Sequence, residues 1–328
     1  FSAGHCDKRF VCCALFFMRK KFFGKLSLRS AVLLTAFFAF SVSASAQFYM
    51  QDMKRDSARS DTRTGGRIER AELIPGEPDI KITINVPAFQ MTLWQKGKEI
   101  KTYPIGVGMK EFPIIIGLRE INTLIWNPSW IPPDSEWVAE GLRGTPIPPT
   151  DPRNPLGKMK IPLGYGYLLH QAKGPGDLGS LVSHGCVRVM RDDLYDLAEK
   201  IVAARRLAVT PAEIARAKRT KKTLVAELDA PVPVEITYDT MVVEGGRLYI
   251  YPDVYERRKN NLEILRAELK ANGINEKEFG DDELEKMIRR ARGKNKYVID
   301  LEQIRSGNLL AGKTSPVVAR PAAPRRAR

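Results

Sequence analysis

The chain runs to 328 residues with 43% hydrophobic and 28% charged side chains, enough apolar material for a sizeable core, which excludes a wholly disordered protein. Its formal charge is +15; seven Lys/Arg and one acid fall in residues 1–46, so the remainder still carries +9. That charge is spread over helical segments and the tail without an aromatic-interleaved patch, which argues against a nucleic-acid partner and fits general attraction to an anionic envelope.

Met18 to Ala46 reads as a secretory signal. Arg19, Lys20, Lys21, Lys25 and Arg29 precede an apolar run from Ala31 to Val42, about a dozen residues and too short to span a bilayer comfortably. Ala44-Ser45-Ala46 then supplies a small-x-small cleavage pattern before Gln47. No cysteine follows that point to carry a lipid, and an uncleaved anchor is the alternative. The sequence opens on Phe1, and Met18 is the expected initiator, so His5, Cys6, Cys12 and Cys13 are kept out of any site. The expected location is the periplasm or cell envelope. With residues 1–46 removed, Cys186 is the sole cysteine and His170 and His184 the sole histidines.

Residues 47–79 are polar and charge-mixed and read as a flexible linker. From Ile80 the pattern changes: Ile80, Ile82, Ile84 and Val86 alternate with polar partners, the period-two signature of a half-buried strand. Met91–Trp94 and Thr102–Val107 follow, joined by a hairpin turn at Lys96-Gly97-Lys98. Residues 126–157 form a Pro-, Trp- and Gly-rich loop with Trp126, Trp130 and Trp137, suited either to lie over a site or to anchor the loop to the core. Tyr165 to His170 returns to strand. Asp192 to Val202 predicts a helix with Asp192 as N-cap, and Thr210-Pro211-Ala212-Glu213 a capping box with Pro at the first helical position. Val232–Tyr238 and Arg247–Tyr251 read as strands. Residues 256–294 read as helical, with Leu262, Leu265 and Leu269 as an apolar stripe, and 313–328 as a disordered basic tail.

The chemistry concentrates at Ser183-His184-Gly185-Cys186-Val187-Arg188, with His170 fourteen residues before His184. A free thiol is mostly protonated near neutral pH, so a nearby histidine must either take its proton or, as imidazolium, hold the thiolate down in pKa. His184 and Arg188 each stand two residues from Cys186 and would share its face on a strand, while His170 would face it from the adjacent strand. Gly185 allows close approach and can leave amide N–H groups free for an oxyanion; Arg188 offers a planar fork for a carboxylate. These parts suit acyl transfer. Two bland readings stand beside it on the residues alone: His170, His184 and Cys186 as zinc ligands, for which H-x-C is not a usual spacing, or a core strand with a buried Cys.

The hexapeptide, preceded by His170 and by Asp177-Leu178-Gly179, resembles the signature of the L,D-transpeptidase (YkuD-type) catalytic domain, and Asn154-Pro155-Leu156-Gly157 resembles a segment found upstream in that family. The resemblance covers roughly residues 80–240. It implies a fold that is mainly β with short helices, a YkuD-like β-sandwich, here followed by a strand and helical C-terminal extension at 241–312. It implies that Cys186 attacks the third residue of a peptidoglycan tetrapeptide stem, releasing D-Ala and forming a thioester that an amine of a second stem resolves. In that scheme His170 is the proton donor and acceptor, oriented by the carbonyl of Gln171, while Ser183, His184, Gly185 and Arg188 shape the oxyanion and substrate pocket. It also implies acylation of Cys186 by carbapenem β-lactams. Two departures stand out: Phe112-Pro113-Ile114-Ile115-Ile116-Gly117 replaces the usual Thr-Pro-x-Gly turn, and Gln171 stands where Gly or Ser is common. Hydrolysis of the same thioester (an L,D-carboxypeptidase) and attachment of an envelope protein are alternatives, as is a non-catalytic wall-binding scaffold. A monomer without metal or organic cofactor is expected.

Overall fold

The computed structural model describes residues 79–319; the segments read from the sequence as an export signal and a linker, up to residue 78, and as a tail from residue 320 lie outside the described residues. The period-two alternation beginning at Ile80 forms β1 (Ile80–Asn85), with Ile80, Ile82 and Ile84 at most 1% exposed. It pairs antiparallel with β2 (Gln90–Gln95), which turns through Lys96 and Gly97, both at positive φ, into β3 (Lys98–Gly108). Positive φ at both central residues matches the twist of a two-residue hairpin. β4 (Gly117–Trp126), β5 (Met159–Pro162), β6 (Leu168–Gln171), β7 (Leu181–Ser183), β8 (Val187–Val189) and β9 (Leu224–Thr237) complete the first sheet.

Its strands follow one another as β1–β2–β3–β8–β6–β5–β4–β9 and return to β1, so the sheet closes on itself. The domain is mainly β with short helices, as expected, and its hydrogen bonding closes the sheet into a barrel. The long strands make the closure. The eleven residues of β3 pair with β2 up to Pro104, then with β8 at Ile105–Gly106, then with β7 at Val107–Gly108. Inward side chains, Tyr103, Ile105, Trp126, Leu169, Val187 and Val189 among them, are fully buried in one core.

Helix α1 (Arg191–Arg205) lays Leu194, Leu197 and Ile201 on that core. Its N-cap is Met190 rather than Asp192; Asp192 and Asp193 sit in the first turn, where the helix dipole favours acids. Lys101 reaches Asp193 and Asp196 at 3.2 and 3.0 Å, and Tyr103 Oη donates to Asp196 at 2.8 Å, tying α1 to β3. In α2 (Pro211–Arg219) the expected capping box is present, Thr210 Oγ1 accepting from the Glu213 amide while Glu213 accepts from the Thr210 amide.

The C-terminal part is not the helical extension read from the sequence. It is a four-stranded antiparallel sheet, β10 (Met241–Glu244), β11 (Arg247–Ile250), β12 (Asn295–Asp300) and β13 (Lys313–Pro316), with α3 (Leu262–Ala271), α4 (Asp281–Ile288) and the short α5 (Leu301–Arg305). These elements bury a second hydrophobic cluster, including Leu248, Ile250, Leu265, Leu269 and Tyr297. β13 begins where a disordered tail was expected. It is a polar edge strand that pairs through its backbone and leaves no apolar alternation to read.

Because Leu197 is fully enclosed where α1 meets the barrel, Leu197→Ala should cost about 2–5 kcal/mol in urea unfolding. Leu118→Ala, at a side chain 73% exposed, should stay within about 0.5 kcal/mol of wild type.

Candidate active site

β6 and β8 are parallel neighbours with Leu169 opposite Val187 and His170 opposite Arg188. In-register residues of parallel strands share a face. Leu169 and Val187 point into the core, so His170 and Arg188 lie side by side on the other face. Cys186 immediately precedes β8, half-buried, two residues from Arg188 and therefore beside the His170 strand. Three of the sequence-predicted residues are thus brought together by one strand pairing.

The residues before Cys186 form a sharp corner. Gly185 has φ +105°, and a β-carbon there would lie 2.5 Å from the Tyr167 ring. Only glycine fits. Ser183 is buried and its hydroxyl donates to the carbonyl of Cys186 at 2.5 Å, spanning the corner, while the Ser183 carbonyl accepts from the Met109 amide at 2.8 Å. Among the described residues the amides of His184, Gly185 and Cys186 donate to no backbone carbonyl, which leaves a set of donors beside the Cys186 thiol.

His184 does not share a strand face with Cys186. The positive φ of Gly185 ends the extended run, and His184 turns outward to stack on Trp137, with ring centroids 4.2 Å apart and planes 9° apart. Phe112 meets the same imidazole edge-on at 4.7 Å. Gln171 keeps its side chain against Gly157, where Oε1 accepts from the Lys158 amide at 2.8 Å. Its carbonyl accepts from Arg188 Nη1 at 3.4 Å. The carbonyls of Leu156 and Pro155, in the segment singled out upstream, favour a protonated His170.

The electrostatics follow from burial and from one charge. His170 is 3% exposed with Nδ1 bonded to nothing among the described residues. Burial, helped by the Arg188 guanidinium and opposed by the Leu156 and Pro155 carbonyls, pushes its pKa down to about 3. Burial and Arg188 also lower His184. Burial pushes the Cys186 thiol up, against the pull of the Leu168 amide and Arg188 toward the thiolate. The resting pair near neutrality is therefore a thiol beside a neutral imidazole. Of the two ways a histidine can activate cysteine, this geometry favours the base over the imidazolium.

Arg188 is 9% exposed, its Nε has no partner among the described residues, and its charge is balanced in part by Asp177. A buried cation with an unused donor suits an anionic substrate group. Among the described residues no three His, Cys, Asp or Glu side chains are grouped to hold a metal. The sequence did not single out Tyr167, Gly108 or the contact of Phe112 and Trp137 with His184. Trp137 was visible only as one aromatic in a long loop, Phe112 only as part of a departure.

Residues 79–234 match the family profile described as the L,D-transpeptidase catalytic domain, YkuD. The probable L,D-transpeptidase YcfS of Escherichia coli (strain K12) is 25% identical over 180 residues, 52% of this chain and 56% of that protein. The probable L,D-transpeptidase YbiS of the same strain is 28% identical over 140 residues, 41% and 46% of the two chains. The chain therefore spans about half the length of these curated relatives. Among solved structures, the L,D-transpeptidase from Mycobacterium smegmatis aligns at TM-score 0.30 and 15% identity, over 48% of this chain and 58% of that one. On the sequence match, residues 79–234 belong to the YkuD family of L,D-transpeptidase catalytic domains.

Proposed function

We propose that the protein is an exported cysteine L,D-transpeptidase that forms peptidoglycan cross-links, with Cys186 as nucleophile and His170 as its base. The observation that carries this reading is the β6–β8 register, in which His170 pairs with Arg188, two residues beyond Cys186. Family membership of residues 79–234 supports the substrate class, peptidoglycan stem peptides.

In this reading the thiol proton passes to His170 as Sγ attacks the carbonyl of the third stem residue. The amides at 184–186 receive the oxyanion. His170 returns the proton to the leaving D-Ala amine as the peptide C–N bond breaks, leaving a thioester. The amine of a second stem then attacks the thioester carbonyl, loses its proton through His170, and Cys186 departs as the thiol. The bond energy of the stem peptide is kept in the thioester, so no nucleotide is consumed. Arg188 holds a carboxylate of the stem. Gly185 keeps the corner open, and Ser183 fixes it by holding the Cys186 carbonyl. His184, stacked on Trp137 and met edge-on by Phe112, borders the groove rather than moving protons. The export signal in the sequence fits a substrate in the envelope.

Incubated with disaccharide-tetrapeptide and analysed by mass spectrometry, the protein should give dimers lacking one D-Ala. Cys186→Ala should give none, and His170→Ala should be slower by about 10²–10⁴-fold. Tripeptide monomer alone would move the assignment to carboxypeptidase. Absence of any Cys186-dependent product would overturn the enzyme reading on this donor.

The resting charge state has its own signature. With the thiol raised and His170 lowered, the thiolate fraction is small at pH 7 and grows as pH rises toward the thiol pKa. Iodoacetamide labelling of Cys186 should therefore accelerate continuously from about pH 7 to beyond the ordinary thiol pKa of about 8.5. A rate already level from pH 6 upward would reveal a thiolate–imidazolium pair instead.

A further inference from the structure

We propose that Tyr255, on the segment joining β11 to α3, is a positioning residue of the Cys186 site, its hydroxyl clasping both ends of the loop that holds Phe112 against His184 and Gly108 against Gly185. The inference rests on the reading of Cys186 as the nucleophile. Tyr255 lies outside residues 79–234, in the part of the chain to which the family match gives no role.

Tyr255 Oη donates to the carbonyl of Gly108 at 3.0 Å and accepts from the amide of Ile114 at 3.3 Å. Gly108 ends β3, and the chain between these two residues folds back on itself, with the Phe112 amide donating to the Met109 carbonyl at 3.1 Å. The loop lies directly on the catalytic corner. A β-carbon at Gly108 would stand 2.1 Å from the Phe112 carbonyl oxygen and 2.9 Å from Gly185 Cα. A single hydroxyl thus fixes a loop that touches His184 and Gly185, the two residues that precede Cys186.

That hydroxyl is itself held in place. The Tyr255 amide donates to Tyr238 Oη at 2.7 Å, and Tyr238 Oη donates to Asp253 at 2.5 Å. The two rings stack at 5.6 Å under the Arg257 guanidinium. Asp253 also accepts from the amides of Arg257 and Lys259 at 3.0 and 2.8 Å. Burial pushes the Tyr255 phenol up to about 12, so it remains a hydrogen-bond donor through the working pH range. Lys110 pairs with Glu256 across the same junction. The C-terminal part touches the site's other flank as well: Lys294 Nζ donates to Ser180 Oγ at 2.8 Å and Val318 packs on Gly179, just before β7.

The test compares Tyr255→Phe with Tyr297→Phe in the full chain. Tyr297 also bridges two backbone groups, the Leu309 carbonyl at 2.7 Å and the Gly312 amide at 2.9 Å, but within the C-terminal cluster. Three rates or titrations are read: carbapenem acylation of Cys186, iodoacetamide labelling of the same thiol, and the pH titration of the His184 ring by NMR. Tyr255→Phe should slow acylation about tenfold, through misplacement of the oxyanion donors, with labelling within about twofold of wild type. It should also raise the His184 titration toward the ordinary imidazole value as the Phe112 contact loosens. Tyr297→Phe should change neither. An unchanged His184 titration in Tyr255→Phe, or the same changes in Tyr297→Phe, overturns the proposal. Should wild-type Cys186 label with iodoacetamide yet take no carbapenem, the transpeptidase reading fails separately, and the His184 titration alone decides the clasp.

Discussion

The parallel pairing of β6 with β8 is the constraint from which the site is built. Parallel neighbours in register carry their side chains on a common face, so one pairing sorts Leu169 and Val187 into the core and His170 and Arg188 out of it. Parallel strands also need a crossover of a dozen or more residues, because the chain must return to the end at which it started. Here residues 172–186 make that return, over a helical turn at Pro175–Asp177 and through β7, which pairs parallel with β3. The separation between His170 and Cys186 is therefore set by the crossover. The motif's spacer is architecture.

Charge at the site is governed by what burial and Arg188 do together. Both lower His170, whereas for Cys186 they oppose one another and burial prevails. Removing water from a thiol and an imidazole favours their neutral forms more than one guanidinium can reverse for the thiol. A protonated resting thiol is also the form least open to oxidation. In the proposed mechanism the thiolate then arises only as Sγ meets a carbonyl, with the amides of the 184–186 corner available to the oxygen that takes the charge.

Local pattern made much of this legible. Alternating isoleucines announced β1, the capping box announced α2, and the cysteine window marked out the residues that the β6–β8 pairing gathers. The failures share a cause, dependence on backbone geometry or partners remote in sequence. His184 and Arg188 are equally spaced from Cys186, yet only Arg188 stays on its strand, because the φ of Gly185 turns His184 away. Closure of the barrel depends on β1 pairing parallel with β9, elements about 150 residues apart whose own sequences carry no sign of one another. β13 is too polar and too short to read at all. The alternation of Tyr297 and Ile299 in β12 was present but lay at the end of a charged stretch that reads more readily as helix.

The departure at Phe112–Gly117 and the C-terminal sheet, separate puzzles in the sequence, meet in the structure. A turn of the Thr-Pro-x-Gly kind holds itself through its own local geometry. The segment here is apolar and exposes both Phe112 and Ile115 by more than a third, which gives it little internal means of staying put. Its fixed points come from outside, from the Tyr255 hydroxyl at Gly108 and Ile114 and from the stack with His184 and Trp137. A loop with a single turn hydrogen bond of its own and a module that supplies two more are, in the proposed clasp, two halves of one solution. Either half transplanted alone into a related barrel would leave backbone groups unpaired beside the nucleophile, at the point where misplacement costs most.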